Sequence, residues 1–197
     1  MKRAIYLVAI CGMFGALVGC SLLPAQAQLP QVHDFGPPPT SDNADPALPL
    51  RVEQTTAPAW LSDDAIHYRL LYNDPTVFRS YADNRWASSP AELLDAGLRY
   101  TLLVGTGRTP DDSYVLDTQL LQFEQEFSTA HEAKVQLVLQ ASIRRASDGQ
   151  IVAVRRFEME QTTTADVQGA VAGLAQLAQK SEQAVAGWAK DRVSNPQ

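Results

Sequence analysis

Cysteine is almost missing from this chain. Its 197 residues hold only two, Cys11 and Cys20, so no disulfide framework can staple the fold. Histidine is nearly as scarce. His33, His67 and His131 are scattered, and none lies at helical ligand spacing from another His or a Cys, which removes the usual metal motifs. There is no G-x-S-x-G elbow, and no serine stands in a recognisable nucleophile context. The segment "VGTGRT" (104–109) has two glycines but neither a third nor a lysine, and it follows a helical pattern, so it reads as a turn rather than a phosphate cradle. Asp63-Asp64 and Asp111-Asp112 are acidic pairs in turn-like sequence, where Asp is ordinary. Basic residues are in deficit, 16 Lys+Arg against 22 Asp+Glu, which argues against tracking nucleic acid. These absences point to a protein that is not an enzyme and carries no cofactor or metal.

What is present begins with "MKRAIYLVAICGMFGALVGC". Lys2 and Arg3 precede an apolar and small-residue run from Ala4 to Gly19, shorter than the roughly 20 residues a spanning helix needs. This reads as an export signal. Cleavage before Cys20 leaves one cysteine at the new N-terminus, with no disulfide partner, no second thiolate for a metal and no fold around it to lower its pKa. What remains is attachment. "LVGC" (17–20) resembles the bacterial lipobox, whose cysteine is acylated, and Ser21 after it implies transfer to the outer membrane. More than one acyl chain makes such anchoring stable. Loss of residues 1–19 leaves 14 basic against 22 acidic residues, a net charge of −8.

The expected organisation is a signal peptide (1–19), a lipidated tether (20–31), one folded domain (32–193) and a short tail (194–197). "VHDFG" (32–36) reads as a first strand, the Pro-rich 37–49 as loop, and "LRVEQT" (50–55) as a strand. A turn at Ser62–Asp64 leads to a strand over Ile66–Tyr72. A further strand over Val77–Tyr81 is expected to give way to a helix, with Ser88 or Ser89 as N-cap, Pro90 and Glu92 in the first turn and Gly105 as its stop. Residues 113–127 read as a long strand. "EAKVQLVLQASIRR" (132–145) alternates apolar and polar residues with one exception, Val138, so one face is buried and the other wet. Asp148-Gly149 marks a tight hairpin into 150–161. Residues 164–193 form a long amphipathic helix with Val167, Val171, Leu174, Ala178, Ser181, Val185 and Trp188 on one face. Its three glycines signal close helix–sheet packing. The fold expected is α+β, a mixed, largely antiparallel sheet with two main helices packed on one face, in a single domain.

Trp60, Tyr68, Tyr72, Phe78, Tyr81 and Trp86 crowd into 27 residues with Arg69, Arg79 and Arg85 between them. Such a cluster either builds the core or lines a partner surface, where aromatics and Arg are favoured anchors. Arg144, Arg145, Arg155 and Arg156 are expected close together on the wet face of a hairpin, solvated or docking an acidic neighbour.

These residues resemble the ABC-type transport auxiliary lipoproteins (PqiC/YmbA-like). The match runs from P-x-[WY]-L (Pro58, Trp60, Leu61) through I-x-Y-R (Ile66, Tyr68, Arg69) to Tyr81, Trp86, Pro90, Leu93 and Leu94. "VHDFGP" (32–37) and Leu120, Phe123, Gln125 and Phe127 extend it over nearly the whole mature chain. The resemblance implies an accessory lipoprotein at the periplasmic face of the outer membrane, anchored by acyl chains on Cys20. Its partners would be a periplasmic MCE-domain protein and ABC transporter components that move lipid, with phospholipid a candidate, between membranes. It also implies a homo-oligomer, some members forming rings, with function by assembly and no turnover. Cys20 is the lipidation site, and Trp60, Tyr68, Arg69, Tyr81 and Trp86 are candidate partner-interface or structural residues. The alternative is a structural lipoprotein that partners an outer-membrane β-barrel.

Overall fold

The structure is a computed structural model that describes residues 29–38, 48–103 and 113–195. The lipobox with Cys20, the expected Gly105 stop, all of 104–112 and most of the segment 37–49 expected as loop lie outside them.

The alternating segment forms the centre of the molecule. Strand β6 (Ala133–Arg145) pairs antiparallel with β5 (Tyr114–Phe127) on one side and with β7 (Ile151–Thr163) on the other. Gly149, at φ +72°, turns the chain between β6 and β7, a conformation that glycine adopts without penalty. The opposite edge of β5 is shared by two short parallel strands. β2 (Leu50–Val52) lies beside Tyr114–Leu116, and β3 (Ala65–Leu70) lies beside Gln125–Phe127. β4 (Arg79–Trp86) then pairs antiparallel with β3, and β1 (Gln31–His33) pairs parallel with β4. The order is β1-β4-β3-β5-β6-β7 in a seven-stranded mixed sheet whose long ladders are antiparallel.

Two helices cover one face of this sheet, as the α+β reading expects. α1 (Pro90–Leu103) starts in a capping box: the Glu92 amide donates to the Ser89 hydroxyl at 3.4 Å, and the Glu92 carboxylate accepts from the Ser89 amide at 3.3 Å. α2 (Val167–Ser194) starts where the Asp166 carboxylate accepts from the Gly169 amide at 2.7 Å. The cap at Asp166 places the helix start three residues later than the apolar pattern suggests. Leu94, Leu98 and Leu102 of α1, with Leu174, Ala178, Val185 and Trp188 of α2, close over Leu116, Leu120, Phe123, Leu137, Leu139 and Ile143 of the sheet. Each large side chain so buried contributes roughly 1.5–3 kcal/mol relative to exposure.

Three differences from the sequence reading have physical causes. β4 does not stop at Tyr81; it runs from Arg79 to Trp86 because β1 and β3 pair with it from both sides. β3 stops at Leu70 rather than Tyr72, since the amides of Asn73 and Asp74 both turn back to the Leu70 carbonyl. The arginines of the hairpin do not gather on one face, because neighbouring residues of a strand point to opposite sides. Arg144 and Arg156 stand on the open face, paired with Asp117 at 2.9 Å and with Glu158. Arg155 lies over the Phe157 ring on the helix side, and Arg145 closes the hairpin through Asp148.

The glycines of α2 likewise differ from one another. A Cβ on Gly173 would stand 2.6 Å from Thr163 and 2.8 Å from Val135, so this glycine sets the helix against the sheet. Gly169 instead abuts Thr164 at the helix entry, and Gly187 faces open space.

Candidate functional site

The sequence-predicted residues lie on β3, β4 and the turn before them, and the sheet divides them among three environments. In β3, Ile66 and Tyr68 face the helices, whereas His67 and Arg69 face the open side.

On the open side, the Phe78 ring organises a cluster. His67 stacks on it at 4.2 Å, Trp60 meets it edge-on at 5.1 Å, and the Arg69 guanidinium lies 4.7 Å from its centroid. Arg69 Nε donates to both oxygens of Glu124 at 3.0 and 2.9 Å, and its other arm donates to the Pro75 carbonyl at 3.2 Å. Glu124 is only 2% exposed. Burial pushes its carboxyl above the usual carboxylate range, against the pull of Arg69 and Gln122. His67 bonds Asp63 at 3.0 Å through Nε2, while its Nδ1 is buried without a partner. Trp60, from a single 3-10 turn (Ala59–Leu61), is 43% exposed and forms the outer surface of the cluster.

On the helix side, the Tyr68 and Tyr81 rings pack at a tilt with their centroids 4.7 Å apart. The Tyr81 hydroxyl donates to Gln125 at 2.6 Å, and the Gln125 amide donates to Thr163 and to the Thr164 carbonyl. Burial pushes the Tyr81 phenol far up, so it stays a neutral donor. Its role is to join β4 to β5 and to the entry of α2. Trp86 belongs to neither surface. It is 1% exposed, wedged edge-on against Phe35 at 5.2 Å and beside Phe123 at 5.8 Å.

The five residues therefore separate. Trp86 is core, Tyr68 and Tyr81 form a polar seam, and Trp60 and Arg69 build a partly exposed cluster. Sequence reading missed Glu124 and Gln125 as partners of Arg69 and Tyr81. Gln125 stood only as a motif position with no partner assigned, and Glu124 carried no signal beyond a carboxylate in a strand-like run of mixed polarity. Within the cluster Arg69 and Glu124 neutralise each other, which fixes its shape. Among the described residues, no group of three or more His, Cys, Asp and Glu could hold a metal, and no helix is long and apolar enough to cross a membrane.

Comparison with known proteins agrees with this architecture. No curated protein matches the chain in sequence. A crystal structure of a protein from Xanthomonas campestris, of the DUF330 family, superposes with a TM-score of 0.64 at 18% identity, covering 82% of this chain and 91% of that one. The crystal structure of a second, uncharacterised protein superposes with a TM-score of 0.59, again at 18% identity, covering 81% and 97%. At such identity the likeness concerns the fold. The family described as the ABC-type transport auxiliary lipoprotein component matches residues 31–186, from the first strand to the second half of α2. The chain belongs to the ABC-type transport auxiliary lipoprotein component family.

Proposed function

We propose that this chain is an outer-membrane-anchored accessory subunit of an ABC/MCE-type intermembrane lipid transport system that acts by assembly and has no turnover of its own. The observation that carries the reading is the family match over residues 31–186 standing directly behind a lipobox at 17–20. Eleven positions separate Cys20 from Gln31, the first residue of β1, and fully extended they span at most about 40 Å. The acyl chains on Cys20 thus hold the domain close to the periplasmic surface of the membrane.

Two groups of exposed apolar side chains support a role in assembly. Leu71 and Tyr72 form one just after the end of β3, and Ile151, Val152 and Val154 form another on β7, at the edge of the sheet. An edge strand with exposed apolar residues is a natural surface for association.

The test is gentle detergent purification of the lipidated protein from its own envelope, followed by native mass measurement and identification of what accompanies it. A co-purifying MCE-domain protein, or a defined oligomer carrying phospholipid, is the expected result. A lone monomer, or a complex with a β-barrel, would overturn the reading.

A further inference from the structure

Beyond the sheet cluster, the molecule has a cleft of about 290 Å³ where the loop after β1 meets α1 and α2. Its walls are mostly apolar, with Phe35 on one side and Leu93 and Tyr100 of α1 on the other. Glu182 of α2 lines it and is 4% exposed, yet no described residue offers its carboxyl a hydrogen bond or an ion pair. The carboxyl lies where a side chain on Gly97 would otherwise stand, so the bare glycine makes room for it. Gln179, the amide at the cleft, is already engaged: it donates to the Phe35 carbonyl at 2.6 Å and ties the loop to α2. Asp34 lines the same cleft, its carboxylate accepting from the Gly36 amide at 2.8 Å.

We propose that this cleft is a binding site for a small amphiphile with an apolar body and an alkylammonium head, the head held by Glu182. The cleft carries two carboxyls and no Lys, Arg or His. An anion would meet unpaired negative charge, and a purely apolar guest would leave a buried carboxyl without a partner, which is costly. An ammonium group supplies a charge-assisted hydrogen bond to Glu182, in a cleft that the aromatic side chains of Phe35 and Tyr100 help to line. The volume is at the lower end for ligand pockets and fits a head with a short chain. The site is independent of the transport reading.

Burial alone acts on Glu182 and pushes its pKa to about 7. Asp34 from the loop and Tyr100 from α1 are the other titratable groups lining the cleft. Binding of a cation therefore competes with a proton on Glu182. Between pH 6 and pH 8 the affinity should tighten by about tenfold, with proton release on binding.

The experiment is calorimetric titration of the purified full chain with hexylammonium, with hexanoate and hexanol as comparators, in buffers of different ionisation enthalpy. Saturable hexylammonium binding that tightens with pH and releases protons is expected, with the comparators at least tenfold weaker. Glu182→Gln should weaken binding tenfold or more. Ala96→Phe, which fills the cleft from an exposed helix position, should abolish it without lowering the melting temperature. Competition by vesicles with ethanolamine rather than glycerol headgroups would assign the ammonium to a lipid, and absence of competition to a free amine; either supports the site. Hexanoate or hexanol binding as tightly, unchanged binding by Glu182→Gln, or no saturable hexylammonium binding would overturn it.

Discussion

Arg69 and Glu124 are joined by a two-point contact, the Arg69 Nε lying within 3.0 Å of both carboxylate oxygens. The pair links β3 to β5, which meet over only three residues. Arg69→Ala leaves Glu124 buried without its cation and should cost about 3 kcal/mol, the lower end of the range for breaking a buried pair because Arg69 keeps some solvent contact. Urea denaturation of the variant would measure it. The deficit should shrink at acid pH, where the orphaned carboxyl takes up a proton.

Glu182 gives stability its own pH dependence. Its folded pKa, about 7, lies above the 4.5 of an unstructured glutamate, so the folded state binds the proton more tightly. For a carboxyl shifted upward, the stabilisation is full below about 4.5 and is lost as pH rises through about 7. The loss at this position should approach about 3 kcal/mol as an upper bound. Urea midpoints across this range should fall as pH rises, and Glu182→Gln should flatten that slope.

Gly173 and Gly187 occupy the same helix but should answer alanine with opposite signs. Gly187→Ala adds a methyl in open space and should stabilise by up to about 1 kcal/mol through helix propensity. Gly173→Ala drives the same methyl into Thr163 and Val135 and should destabilise by about 1–3 kcal/mol. Thermal melts of the two variants make the comparison directly.

Trp86→Ala should cost about 3–5 kcal/mol, since the indole fills the space between Phe35 and Phe123. Trp60→Ala, at the exposed side of the Phe78 cluster, should cost less than about 1.5 kcal/mol. If Trp60 anchors a partner, its loss should appear as failed co-purification at a normal melting temperature.

Cys20→Ala should remove acylation and signal cleavage at the lipobox. Membrane fractionation is the check: a processed variant that still sediments with the outer membrane would contradict the anchor.

Some of this protein was legible residue by residue, because the forces that specify it are local. The alternation of Ala133 to Ile143 set the buried face of β6, the Asp148-Gly149 pair set its hairpin, and Ser89 with Glu92 set the start of α1. The apolar stripe of α2 and the motif positions of the family could likewise be read in order along the chain. Tertiary structure decided the rest. Whether β4 would continue past Tyr81 depended on β1 and β3, which arrive from distant parts of the sequence to pair with it. Whether Trp86 was core or surface depended on Phe35 and Phe123, 51 positions before it and 37 after it. Nothing in the sequence marks Glu182 as buried; its burial depends on Gly97 of α1, whose missing side chain leaves room for the carboxyl. Turns, caps and periodicity act within a few residues, whereas burial and pairing are settled only when the sheet and its helices close on one another.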